Sequence, residues 1–518
     1  MSPQPERASF SQALRWALLF AALKLAAQTV INVVGQHAGY GIFRDELYYL
    51  VCGRHLAWGY VDQQPLVALQ ARLAELLFGV GHLALLRIFS ALAGAAMVLL
   101  TGLITFRLGG RRLAQTLAMI AVLAAPEYLG IDSYLSMNAF EPVFWMLCLL
   151  ALFEIVERSD EIEIRNRWIV CGLSGGLALE NKLSAVFFLG SLLGALLLTQ
   201  KRRLLWSRGF LLAVSILVAI ALPSFIWQVT HGFPTLVWLS NVAHSHKNVR
   251  LGPAAFLKNQ VFILGPLSVF LWASGLGWLL LGRRYRFAGV TFLLFLPLMI
   301  ALHAKDYYVT PIYPVLFAAG AVAWQDWLKG RAKTAFISVY AAGLLIMTAI
   351  FLPMIVPILP PPRYLAYAHR FHFQSGDSEN HAHGPLPQFF ADRFGWRSLA
   401  DQVANIYRSL PESDQRRVCI WGDNYGEASA VDILAPGLPQ TISGHQNYFF
   451  WGPRGCHGAL MILMGSDGKD LSRKFDSCRI AGALDDPYAM PYERRSIYLC
   501  RGFHKDLVAS WPEVKNWY

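Results

Sequence analysis

The sequence is short of charge. Asp, Glu, Lys and Arg make up 15% of its 518 residues, against about 25% in a soluble domain. That scarcity, with 55% hydrophobic residues, excludes an ordinary soluble enzyme. Acid is scarcer than base, and the formal charge is +12. The basic residues fall in short clusters between apolar runs, so they read as topology signals and give no reason to expect nucleic acid. Walker and dinucleotide fingerprints are absent, which leaves ATP-driven transport without support. The first apolar run, 13–34, lacks a small-residue cleavage site followed by a soluble chain, so no cleavable signal peptide is read. No inverted repeat of the transporter kind is visible.

What is present is a series of apolar runs near the roughly 20 residues that cross a bilayer. Eleven are read: 14–34, 82–106, 114–129, 139–156, 168–178, 183–198, 209–227, 260–281, 287–302, 307–324 and 334–357. The clusters Arg107/Arg111/Arg112, Lys201/Arg202/Arg203/Arg208, Arg283/Arg284/Arg286 and Lys329/Arg331/Lys333 follow the second, sixth, eighth and tenth runs. They share one side, which the positive-inside rule makes cytoplasmic. Residues 1–12, with Arg7, read as a short cytoplasmic lead. An odd number of spans puts the C-terminal part outside. Composition changes at Leu359-Pro-Pro-Pro-Arg363, which divides the chain into a transmembrane part, 1–358, and a soluble part, 359–518. In the latter, 417–421, 459–464 and 496–500 read as strands and 427–434 as a helix, a small α/β domain. Its Cys419, Cys456, Cys478 and Cys500 allow three disulfide connectivities, with Cys419 equally readable as a packed free thiol. The fold class is thus an all-α polytopic membrane protein with a C-terminal soluble α/β domain.

Residues 43–66, FRDELYYLVCGRHLAWGYVDQQPL, are the stretch around which the rest is organised. They mix Arg44, Asp45, Glu46, Arg54 and Asp62 with Phe43, Tyr48, Tyr49, Trp58 and Tyr60. Charges and rings together belong at a membrane–water interface. On the charge parity above, four polar groups share the outer side. They are Asp45-Glu46 with Asp62, Asp132 to Glu141 (including Asn138), Glu180-Asn181-Lys182, and His303-Ala304-Lys305-Asp306-Tyr307-Tyr308. Ionisable groups at membrane depth are functional by default. Lys182 and Lys305 could neutralise a phosphate, and Asp45 could take a proton from an attacking hydroxyl. Blander readings stand beside these. Asp45 and Glu46 could cap an interfacial helix, Lys182 and Lys305 could snorkel to headgroups, and Glu141-Pro142 could only start a helix. Tyr307 and Tyr308 could be belt aromatics. His244-x-His246 and His381-x-His383 lack further ligands at a fitting spacing and read as loops. Trp421, Tyr425, Tyr448, Phe449, Phe450 and Trp451 could stack on a sugar or form a core.

Several ordered motifs carry a resemblance: FRDELYYL, GYVDQQPL, MNAFEPVFW (137–145), LALENKLS (177–184), HAKDYYVTPIYP (303–314), ADRFGW, NYGEASA and SGHQNYFFWGP. Together they resemble the GT-C membrane glycosyltransferases, more closely the bacterial glycosyltransferase 39/83-like (RgtA/B/C/D-like) group. Lipid A aminoarabinose transferase and the protein O-mannosyltransferases are more distant members. The resemblance implies a multi-pass protein of the bacterial inner membrane, with its active site and C-terminal domain on the periplasmic side. It implies a donor sugar on a polyprenyl phosphate and an acceptor that is lipid A, lipopolysaccharide core, another envelope glycan or a protein. Asp45 matches the family's acid of the first external loop, with Glu46 completing the pair, and would activate the acceptor for an inverting displacement. Lys182 and Lys305 would stabilise the leaving phosphate. Arg44, Tyr48, Asp62, Gln64, Asn138, Glu141, Asn181, Lys182, His303, Lys305, Asp306, Tyr307 and Tyr308 are the implied donor- and acceptor-binding residues. Some relatives use a divalent metal, and no ligand set is assigned to one in this chain. Gln64 stands where the family often has proline, whose ring would fix φ. The competing reading is a flippase for lipid-linked sugars, which would spread polar residues through the depth of the spans.

Overall fold

The computed structural model describes residues 9–245, 248–372, 379–380, 382 and 384–518. It divides into two compact units. The first comprises Met1–Val33, Arg87–Ile226 and Arg250–Val356, and the second Val34–Leu86, Trp227–Val249 and Pro357–Tyr518.

The first unit is helical, and each of the eleven apolar runs contains helix. Among the described residues, six helices are long and apolar enough to cross a membrane, or up to seven if one bent pair is a single span. The six are Phe10–His37, Ile88–Arg107, Met137–Glu157, Arg208–Thr230, Asp306–Trp327 and Ala332–Ile355. The pair Pro253–Ile263 and Pro266–Leu281 bends by 101°, where Gly265 takes φ +86° and Pro266 cannot continue the hydrogen-bond ladder. The other runs differ from simple spans for local reasons. Arg112–Ala124 stops because Ala125 precedes Pro126 and is extended. Ala185–Leu198 has 14 residues, about 21 Å of helix, against a hydrocarbon core of about 30 Å. Arg286–Ala301 has 16. Glu161–Asn181 is longer but opens on the charged sequence EIEIRNR.

The helices pack through small residues and rings. A Cβ at Gly275 would lie 2.0 Å from the Leu316 carbonyl oxygen, and one at Gly320 2.0 Å from that of Leu271. Val269–Leu281 and Tyr313–Trp327 therefore meet backbone to backbone, as small residues permit in membranes. The fully buried Trp145 stacks on Phe188 at 4.1 Å. Lys24, in the middle of the first apolar run, is 0% exposed and pairs with Asp132 Oδ2 at 2.8 Å, itself 0% exposed. It also donates to Gln28 Oε1 at 3.1 Å and to the Tyr128 carbonyl at 3.0 Å. The pair ties the first helix to the segment after Pro126.

The second unit draws on three stretches of chain. Its sheet has strands β1 (Val418–Gly422), β2 (Leu460–Met464), β3 (Phe475–Ala483) and β4 (Ser496–Phe503), in the order β1-β2-β4-β3. β1 and β2 are parallel, and the other pairs antiparallel. The parallel connection carries the helix Tyr425–Leu434, as a crossover requires. Asn424 caps that helix, its Oδ1 accepting from Gly426 N at 2.8 Å and Glu427 N at 3.1 Å. The alternating and continuous apolar patterns gave β1, β2 and β4 in advance. β3, largely exposed outside Phe475, offers no such pattern. Cys419 is bonded to Cys456 and Cys478 to Cys500, so the free-thiol reading of Cys419 is replaced by a bridge. The unit extends beyond the C-terminal part because the helix Arg44–Arg54 packs on Tyr425–Leu434 and on Pro65–Phe78.

Candidate functional site

Each unit gathers expected site residues into a cluster of its own. In the second unit the cluster starts at the N-terminus of Arg44–Arg54. Glu46 is 0% exposed, and its Oε2 accepts from Phe43 N at 2.8 Å. As the third helical residue it closes a capping box on Phe43, so the capping reading applies to Glu46. Asp45 points elsewhere. Its side chain is 32% exposed, and its Oδ1 accepts from the Tyr425 hydroxyl at 2.8 Å. Tyr425 is held between two rings, Tyr48 at 4.6 Å and His445 at 5.1 Å. Its backbone N–H donates to His445 Nδ1 at 3.1 Å. Burial raises the Tyr425 hydroxyl well above its ordinary pKa, so it stays a donor to the carboxylate.

Arg44 organises the rest of this cluster. Its guanidinium lies 3.8 Å from Asp45, 4.0 Å from Asp392 and 4.0 Å from Glu493. It donates to the Tyr492 hydroxyl and sits 5.4 Å from the Tyr425 ring centre. Asn424 Nδ2 donates to Glu493 Oε1 at 3.2 Å. Three carboxylates around one arginine cannot all be charged cheaply when two are buried. Burial, opposed by Arg44, pushes Asp392 up to about 7. Burial likewise raises Glu493. A raised carboxylate contributes stability that is complete below its unfolded value, about 3.9, and is lost as pH rises through about 7. The second unit is therefore expected to lose stability from pH 5 to 7.5. Asp392→Asn is expected to flatten that slope, as read by tryptophan fluorescence on heating. Parallel slopes for the two proteins would exclude Asp392 as the titrating group.

Two further expected residues sit nearby. Asp62 Oδ1 accepts from the Tyr48 hydroxyl at 3.0 Å, and that hydroxyl also accepts from Asn447 Nδ2. Gln64 is the extended residue before Pro65–Phe78, with φ −92° and ψ 159° and no side-chain cap bond. Extended backbone is thus kept without the family's proline.

The first unit brings together MNAFEPVFW, LALENKLS and HAKDYYVTPIYP. Lys182 Nζ lies 2.9 Å from Glu141 Oε2, and Ser184 Oγ donates to Glu141 Oε1. The same ammonium is 4.0 Å from the Tyr308 ring centre and 5.2 Å from that of Tyr307. Glu141 is more than a helix start, and Lys182 is held in a cage instead of snorkelling. Nor is it an uncommitted cation, since Glu141 already pairs with it. Asn181 Nδ2 donates to the Met137 carbonyl at 2.9 Å, and Asn138 Nδ2 to the Tyr134 hydroxyl at 3.1 Å. Asn181 thus holds backbone beside the cage, and Asn138 holds a side chain. Asp306 accepts from Asn259 Nδ2 at 2.8 Å and Tyr307 N at 2.9 Å. Lys305 stands at the start of Asp306–Ile312, and His303 is exposed with φ +50°.

Several partners were not read from the sequence. Lys24 was hidden inside an apolar run. Tyr425 was read only as a sugar-stacking or core ring. Glu127, within electrostatic reach of Lys182, Asp306 and Asp132, follows Pro126 at the end of the third run, and that Pro-Glu step is the signal that could have found it. Among the described residues no group of three or more His, Cys, Asp or Glu side chains is placed to hold a metal ion. His246, His381 and His383 lie outside the described residues, as does Arg7.

Known proteins resemble this chain in sequence and in fold. A family model described as dolichyl-phosphate-mannose-protein mannosyltransferase matches residues 62–227. Lipid A galacturonosyltransferase RgtD of Rhizobium johnstonii is 27% identical over 241 residues, 45% of this chain and 48% of that protein. The chain thus spans about half the length of the curated relative it matches. The crystal structure of apo ArnT from Cupriavidus metallidurans superposes with a TM-score of 0.61 at 15% identity, covering 94% of this chain and 98% of that one. The same protein bound to undecaprenyl phosphate gives 0.62 at 16% identity, covering 93% and 98%. The likeness to ArnT shows the fold, and the partial matches to the family model and to the relative agree with the membrane-glycosyltransferase resemblance carried by the motifs.

Proposed function

We propose that the chain is an inverting glycosyltransferase moving a sugar from a polyprenyl-phosphate-linked donor to an acceptor at the outer side of the bacterial inner membrane. The observation that carries the reading is Asp45, partly exposed and held by the Tyr425 hydroxyl at 2.8 Å. The acceptor hydroxyl oxygen attacks the anomeric carbon, and the bond from that carbon to the phosphate oxygen breaks. The polyprenyl phosphate leaves with the electron pair, and Asp45 takes the acceptor's proton. The Tyr425 bond aims the carboxylate. Within the first unit, Lys182, with Tyr307 and Tyr308 beside it, and Lys305 are the cations suited to a phosphate.

The relative named for lipid A favours a lipid acceptor of that class over another envelope glycan or a protein. A structural neighbour solved with undecaprenyl phosphate supports the donor carrier. Two disulfides in the second unit fit an oxidising compartment outside the cytoplasm, in line with the basic clusters lying inside.

The test is a transfer assay in detergent with a panel of polyprenyl-phosphate sugars and delipidated envelope acceptors. Product from the wild type identifies both substrates. No product from any donor, with labelled lipid-linked sugar crossing liposomes, would replace the enzyme by a flippase. Tyr425→Phe is expected to lower kcat about tenfold or more, since hydrogen bonds to charged groups contribute about 1.5–3 kcal/mol. An unchanged kcat would leave Tyr425 as packing alone.

A further inference from the structure

The first unit has a second polar concavity, built from the basic clusters. A cleft of about 250 Å³ opens where helix ends converge. Arg107 ends Ile88–Arg107, and Glu157 ends Met137–Glu157. Trp278 lies in the last turn of Val269–Leu281, and Arg283, Arg284 and Tyr285 form the turn that follows.

The electrostatics of the cleft are uneven. Arg107 is neutralised at Glu154 Oε1, 2.6 Å away, and Arg167 takes Oε2 of the same carboxylate at 2.5 Å. Glu157 accepts from the Tyr285 hydroxyl and lies 3.7 Å from Arg284. Arg283 is exposed and has no ion-pair or hydrogen-bond partner among the described residues. Lys201 feels the Arg284 charge, which together with burial lowers its pKa. Cations outnumber carboxylates, and Arg284 sits 5.5 Å from the Tyr285 ring centre. Topology signals need only charge on one side of the bilayer. They do not need a walled cleft with two adjacent guanidinium forks and two parallel aromatic rings, Trp278 and Tyr285, 6.3 Å apart.

That architecture suits one ligand chemistry. Guanidinium forks match phosphate oxygens in pairs, and Trp and Tyr rings sit at headgroup depth. We infer that this cleft binds a phosphate-bearing anion through Arg283 and Arg284, independently of the reaction proposed above. The anion comes either from an anionic phospholipid headgroup or from phosphate in solution. Leu281, 78% exposed beside the cleft, offers acyl-chain contact to the lipid form.

The experiment uses the full chain in nanodiscs of phosphatidylcholine, with and without phosphatidylglycerol, and separately with inorganic phosphate. Readouts are the thermal midpoint and the lipid retained in native mass spectrometry. The wild type is expected to retain phosphatidylglycerol and to gain thermal stability from it. Arg283→Gln/Arg284→Gln is expected to lose retention on the order of tenfold, from the charge-assisted hydrogen bonds removed. A gain from inorganic phosphate alone, lost in the same variant, identifies the soluble source. Arg203→Gln/Lys329→Gln removes equal charge outside the lining and is expected to behave as wild type. Equal loss in that control, or no anion effect in the wild type, overturns the inference. If the double variant fails to fold, Arg283→Ala gives the same reading, because no partner among the described residues depends on it.

Discussion

Asp45→Asn is expected to reduce transfer by about two to four orders of magnitude, the usual contribution of a positioned general base. The substitution is nearly isosteric. The amide oxygen can still accept from the Tyr425 hydroxyl, now at 2.8 Å from Asp45. Arg44 keeps Asp392 and Glu493 at 4.0 Å, so its charge stays compensated. Folding is therefore expected to survive, with a thermal midpoint close to wild type. Loss of kcat at constant donor KM would mark a group acting in the transition state. Full activity in the variant would remove Asp45 from the base role, whatever the fate of the family assignment.

Lys24→Met is expected to destabilise the first unit by about 3–5 kcal/mol, the cost of leaving a buried charge without its partner. Lys24 and Asp132 are both 0% exposed, so water cannot take over the compensation. Space is tight as well, since a Cβ at Gly94 would lie 2.1 Å from Asp132 Oδ2. Lys24→Met/Asp132→Asn, which removes the stranded charge and keeps the volume, is expected to recover most of the loss. Thermal midpoints of the single and double variants in detergent give the coupling energy. Equal destabilisation in the single and the double would show that packing, not charge pairing, holds that segment.

Much of this architecture was legible because apolar runs, basic clusters and short apolar strands each leave a local signature. β3 was not, since an exposed edge strand such as FDSCRIAGA carries little periodic apolar signal. Breaks were legible only in part. Pro126 shortens the third run visibly, whereas the 101° bend depends on Gly265 taking a positive φ. The site was read as far as residue types allow. Asp45, Glu141, Lys182 and Tyr308 were named, but not how they pair. Tyr425 lies 380 positions from Asp45, and no spacing rule links them. Asp45 and Glu46 are adjacent in sequence, yet successive residues on a helix face different ways: Glu46 bonds the Phe43 N–H and Asp45 meets Tyr425.

The second unit is assembled from Val34–Leu86, Trp227–Val249 and Pro357–Tyr518. During synthesis its first stretch must wait for the last. Tyr48 stacks on Tyr425, and Tyr60 and Val61 meet Gln228 and Asn447, so the ribosome must add most of the chain before these surfaces are covered. Until then the nascent protein carries unburied aromatic surface, the kind that chaperones bind and proteases sample. A ribosome that stalls before the sheet is made leaves a product that cannot close this unit. Closure of this unit thus follows synthesis of Pro357–Tyr518.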